Sequence, residues 1–158
     1  MRRGAVAVVL AAATGLVGGA ASACDDGEPA TTEREQGASS DVTITTDQGL
    51  TDGLVALSEM GAAGTLRGLT EFDWDAVHVF DEGATAEQVE AAAGSAVLRD
   101  RRYYDAGNLL VFTLDGDVVR AISVVPDVLR VDHPSWGAAV RLEPVGDDTP
   151  AILRLVET

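Results

Sequence analysis

The chain has 158 residues, 26 acidic against 11 basic, one cysteine and a net charge of −15. That length is near the size of a single domain. A lone cysteine excludes an intrachain disulfide framework and a Cys-built zinc site. All basic residues are arginine, which excludes the Walker-type phosphate loop and the Ser-x-x-Lys hydrolase motif, both of which need a lysine. So negative a chain repels polyanions, and nucleic acid is not an expected partner.

The chain opens with Met1-Arg2-Arg3, a short positive segment, followed by the uncharged apolar stretch Gly4–Val17 and the small-residue run Gly18-Gly19-Ala20-Ala21-Ser22-Ala23. This pattern reads as a cleaved signal peptide over residues 1–23. The 20 uncharged residues from Gly4 to Ala23 hold four Gly, eight Ala and only two Leu, a weak membrane-spanning stretch for its length. Cys24 comes next, at the first mature position. Ala21-Ser22-Ala23-Cys24 resembles the lipobox of bacterial lipoproteins, although Ala21 stands where Leu is usual. The resemblance implies cleavage between Ala23 and Cys24, lipidation of Cys24 and a stable membrane anchor on the extracytoplasmic face. The same residues satisfy the Ala-x-Ala rule for ordinary secretion, which stays open as the alternative.

Residues 24–49 carry no aromatic residue and are rich in Asp, Glu, Thr, Ser and Gly. They are expected to form a disordered acidic tether, and Val42–Thr46 is compatible with a short edge strand. Removing Arg2 and Arg3 leaves nine arginines against 26 acidic residues, a charge of −17, so an anionic membrane would hold the domain at the tether's reach.

Residues 50–158 are expected to fold as one small domain. Leu50, Leu54, Leu57 and Met60 recur at helical spacing, with Thr51 or Asp52 as N-cap. Phe72–Phe80 reads as a strand placed inside a sheet, with Trp74, Ala76, His78 and Phe80 on one face and Val77 and Val79 on the other. Thr85-Ala86-Glu87-Gln88 is a capping box that opens a helix through Ala93, with Gly94 as its stop. Leu109–Leu114 and Val118–Val125 flank Asp115-Gly116-Asp117, the chemistry of a tight hairpin turn. Two further strands are expected at Ala138–Glu143 and Ala151–Val156. The fold class is α+β, with one or two helices on one face of a mostly antiparallel sheet of about four to five strands.

Phe72-Asp73-Trp74-Asp75-Ala76-Val77-His78-Val79-Phe80 and Asn108-Leu109-Leu110-Val111-Phe112 together resemble a family of small, uncharacterised exported bacterial proteins. Its members show a Phe-x-Trp-Asp-x-Val-x-x-Phe strand, a short helix and an Asn-Leu-Leu-Val-Phe hairpin. The likeness spans about Thr70 to Val125 and implies a fold and an export route, without a reaction. A fainter likeness, at Thr85, Gln88, Val89 and Gly94, is to the two-helix, four-strand module of envelope lipoproteins and secreted β-lactamase-inhibitory proteins.

Chemistry-bearing residues are sparse. Asp73 and Asp75 bracket Trp74, with Asp81 and Glu82 at the strand's far end and Asp115 and Asp117 in the hairpin. Such carboxylates can bind a divalent cation, but no EF-hand spacing connects them. His78 and His133 lack a metal-binding spacing, and no serine lies in a Gly-x-Ser-x-Gly elbow. No catalytic residue, metal or cofactor is therefore expected. Arg101, Arg102, Tyr103, Tyr104 and Trp136 have the composition of an interaction surface. The expected function is a non-catalytic, membrane-tethered envelope lipoprotein, monomeric, that contacts an envelope protein or cell-wall component. The alternatives are a secreted, inhibitor-like binding protein and a divalent-cation binder.

Overall fold

The computed structural model describes residues 42–158. The signal peptide expected over 1–23, the cleavage and lipidation site at Ala23 and Cys24, and residues 24–41 of the tether expected over 24–49 lie outside the described residues. The expected disorder of 42–49 is corrected, since Ile44–Thr46 pairs with the strand at Asp117–Val124 and a helix begins at Gln48. The described elements run β1 (Ile44–Thr46), α1 (Gln48–Met60), β2 (Gly64–Thr65), a 3-10 turn at Leu66–Leu69, β3 (Ala76–Phe80), α2 (Ala86–Ala93), β4 (Asn108–Leu114), β5 (Asp117–Val124), β6 (Leu129–Arg130), β7 (Ser135–Gly137), β8 (Arg141–Val145) and β9 (Ile152–Val156).

They form an α+β fold around two sheets. The larger has strand order β1-β5-β4-β3-β7 and the smaller β2-β8-β9-β6. Both are mixed, because β1 runs parallel to β5 and β6 parallel to β9. The expected α+β class with two helices holds, and the finer expectation of a single sheet gives way to two. The larger sheet is covered on both faces. One core joins Leu50 and Leu54 of α1, Val77 and Val79 of β3, Leu110 and Phe112 of β4, Leu142 of β8 and Leu153 and Leu155 of β9. The opposite face packs Phe80, Leu109 and Val111 against Val89 and Ala93 of α2 and the loop residues Val97, Leu98 and Tyr104. The uninterrupted apolar run of β4 follows from this, since a strand buried on both faces has no polar side.

Local chemistry sets the elements. α1 begins a turn earlier than expected. Asp47 is its N-cap and accepts a hydrogen bond from the Leu50 N–H at 3.0 Å, and Gly61 closes it in the left-handed region. Asp115 and Gly116, at φ 54° and 88°, supply the two positive angles of a hairpin turn whose twist matches its strands. Strand β3 is shorter than expected. Phe72 and Trp74 precede it and turn to the first core, where both rings meet Phe112 edge-on at 5.0 and 5.2 Å. Arg120 lies over Phe72, and Arg67 lies over the Trp74 ring and donates to the Trp74 carbonyl oxygen. The two sequence segments that carry the family resemblance are thus in direct contact.

Candidate functional site

An open groove forms where β3 ends. Asp81-Glu82-Gly83 turn the chain away from the sheet, and the capping box starts α2 at once. The Gln88 N–H donates to Thr85 Oγ1 at 3.2 Å, and the Thr85 N–H donates to Gln88 Oε1 at 2.8 Å. On the other side, the pairing of β3 with β7 brings in residues 131–135, with the Val79 N–H donating to the Pro134 carbonyl at 2.7 Å. Between them lies an open groove of about 780 Å³. Phe80, Ala91, Ala92 and Val131 give it apolar walls, and Asp81, Glu82 and Asp132 give it an acidic rim. Among the described residues no arginine lines it, and Arg130 pairs with the rim residue Asp132 at 3.5 Å.

At the sheet edge beside this groove, His78 and Ser135 are cross-strand partners. Their Nδ1 and Oγ atoms lie 2.9 Å apart. Burial holds the imidazole below its ordinary pKa of 6.5, because a charged ring loses hydration there. A Ser–His pair at this distance is also the start of a nucleophilic site, which further needs a group to orient the histidine. Among the described residues His78 has no second hydrogen-bond partner. The expectation that His78 shares a face with Trp74 is corrected, since Trp74 sits in the opposite core with Val77. His133 stacks on Trp136 at 3.6 Å between ring centroids, and Trp136 Nε1 donates to the His133 carbonyl at 2.9 Å.

The carboxylates do not converge as a metal site. Asp75 Oδ2 accepts from the Asp115 N–H at 2.8 Å and so ties the hairpin turn to the start of β3. Asp73 and Asp117 are exposed at separate places. Among the described residues no three His, Cys, Asp or Glu side chains are arranged to hold a metal ion. Asp81 accepts a 2.8 Å hydrogen bond from Asn108 Nδ2. Asp81 and Glu82 also line a second, smaller cavity of about 170 Å³, together with Asn108 and Asp127.

The five residues expected to make an interaction surface are divided. Arg101, Arg102 and Tyr103 are exposed on the loop after α2, where Arg101 pairs with Asp105 at 3.0 Å. Tyr104 is 1% exposed. Its hydroxyl donates to the Ala106 carbonyl at 2.8 Å and contacts the Ser123 hydroxyl. Burial raises the phenol above its ordinary pKa. Trp136, read from sequence as a loop residue, is in β7 and 5% exposed. Tyr104 and Trp136 are therefore core residues, in different cores. The groove was not legible in the sequence, because its walls come from segments about 40 positions apart that only the β3–β7 pairing joins. No family model, curated protein or solved structure matches the chain.

Proposed function

We propose that this protein is a non-catalytic, membrane-tethered binding module of the bacterial envelope, of the small exported type that its Phe72–Phe80 and Asn108–Phe112 segments resemble. Its contact site is the groove between α2 and residues 131–135. The observation that carries this reading is the union of apolar walls and an acidic rim in one open cleft, where Asp81 and Glu82 carry the charge and Asp132 is paired with Arg130. An apolar cleft with a few convergent polar groups is the usual form of a binding site. Its charge favours a partner segment that is basic and partly apolar. A second copy of this chain is a poor occupant, because like charges repel. The small-residue run ending at Ala23, with Cys24 as the only cysteine, supports the lipid tether. A tether would hold the groove near other envelope components and raise their effective concentration.

The test is photo-crosslinking on intact cells, with a photoreactive residue placed in the groove at Ala91 or on the loop at Tyr103. Adducts from position 91 that are lost with Ala92→Arg support the reading. Equal adducts from position 103, or none from 91, overturn it. Intact mass from the membrane fraction tests the tether. A diacylglyceryl adduct on a chain beginning at Cys24 supports anchoring, and an unmodified chain in the medium gives the secreted alternative.

A further inference from the structure

One wall of the groove is built as a strap. Residues 132–135 are all exposed, and they run between two buried anchors, Leu129 in β6 and Trp136 in β7. All four line the groove. Two contacts fasten the strap to β3. The Val79 N–H donates to the Pro134 carbonyl at 2.7 Å, and His78 Nδ1 meets Ser135 Oγ at 2.9 Å. Its other contacts run within itself and to its anchor. His133 Nδ1 lies 3.2 Å from the Ser135 carbonyl oxygen, and Trp136 Nε1 donates to the His133 carbonyl. On the side of the sheet, His78 is thus the titratable group in the fastening.

The surroundings of His78 offer a charged ring no partner. Its cross-strand neighbours are Val111 on β4 and Ser135 on β7. On α2, Val89 and Ala93 pack inward, while Glu87 and Glu90 are exposed. The Tyr104 hydroxyl in the same core is engaged with Ala106 and Ser123. At the ends of β3, Asp75 accepts from the Asp115 N–H, Asp81 from Asn108, and Glu82 is exposed. On the strap itself, Asp132 pairs with Arg130. Among the described residues no carboxylate pairs with His78.

A buried cation without a counter-ion must be hydrated. Water reaches this ring most readily from the β7 side. On the other side β3 pairs with β4 over five positions, with His78 in the middle, whereas the strap meets β3 only at its end. We propose that residues 132–135 form an acid-released strap: when His78 takes up a proton, the strap lifts from β3 and the groove loses one wall. Above pH 6.5 the ring is neutral in either position and the strap stays seated. As pH falls, the lifted ring binds a proton that the seated ring refuses, so the lifted state gains. His133 acts in the opposite sense, because a charged ring there still donates to the Ser135 carbonyl. For its effect on binding this inference rests on the groove reading; the release of the strap does not.

The test is amide hydrogen exchange, followed by NMR on the isotope-labelled full chain at pH 7.5 and 5.0 and scaled to the chemical exchange rate at each pH. Val79 protection is expected to fall about tenfold, the effect of one pH unit of differential proton uptake. Val89 and Leu153, whose N–H groups bond to the Thr85 and Val128 carbonyls, are expected to keep theirs. His78→Gln should make Val79 protection independent of pH, and His133→Gln should leave the response in place. Ser135→Ala, at an exposed position, keeps the ring and removes its fastener, so Val79 protection should be low already at pH 7.5. Unchanged Val79 protection, or equal losses at Val79, Val89 and Leu153, overturns the strap. A Val79 response that survives His78→Gln or vanishes with His133→Gln overturns it too. Photo-crosslinking from position 91 at the same two pH values reads the binding. Adducts that fall together with Val79 protection support control of the groove by the strap, and adducts unchanged while the strap lifts overturn that control. No adduct at either pH removes the groove reading, while the exchange data still decide the acid release.

Discussion

His78 and Tyr104 are polar side chains held against apolar surroundings, and each has a measurable consequence. Burial lowers the His78 pKa, so the unfolded chain takes up a proton near pH 6.5 that the folded chain refuses until lower pH. Stability is therefore full above pH 6.5 and is lost as pH falls from there through the folded pKa. Melting curves between pH 7.5 and 5.5 are expected to show Tm falling with pH. His78→Gln should flatten that slope, and an unchanged slope would remove His78 as its source. Tyr104 contributes both ring volume and a hydroxyl. Tyr104→Phe deletes only the hydrogen bonds around Ala106 and Ser123 and is expected to cost about 1 kcal/mol in denaturant unfolding. Tyr104→Ala empties a core position and should cost about 3–5 kcal/mol. Equal costs would mean that the ring is not the packing element described here. It also follows that Tyr103→Ala, rather than a double change with Tyr104, is the fair test of an exposed tyrosine contact.

Elements whose determinants are local were readable before folding. The capping box at Thr85 and Gln88, the Gly94 stop, and the Asp115-Gly116 turn each need only neighbouring residues. Thr85→Ala is accordingly expected to destabilise by about 0.5–2 kcal/mol. Urea unfolding with an unchanged m-value would confirm it, and no loss would mean that tertiary packing alone holds the helix end. β2, β6 and β7 were not readable, since two or three residues cannot display a period. With them went the second sheet. The apolar run Leu109–Phe112 carried the hint, because its unbroken hydrophobicity demands cover on both faces. The Trp136 environment was lost for the same reason, since a three-residue strand in the chain looks like a loop.

At the scale of the whole molecule, charge acts on folding and on binding in opposite directions. With a net charge of −15, self-repulsion works against the compact state. The ion pairs Arg101–Asp105, Arg130–Asp132 and Arg154–Glu143 are all solvent-exposed, and such pairs contribute little. Repulsion therefore outweighs attraction. Screening shortens the reach of both as the Debye length falls from ~30 Å at 0.01 M to ~3 Å at 1 M salt. Raising sodium chloride across that range is expected to raise Tm, whereas a fold held by its surface ion pairs would lose stability. Binding in an acidic-rimmed cleft must respond the other way, because the attraction that draws in a cationic segment is screened by the same ions. The affinity of the groove for a short basic, partly apolar peptide should fall over the range in which Tm rises. If both quantities rise together, apolar burial governs the groove and the carboxylates at its rim do not select the ligand.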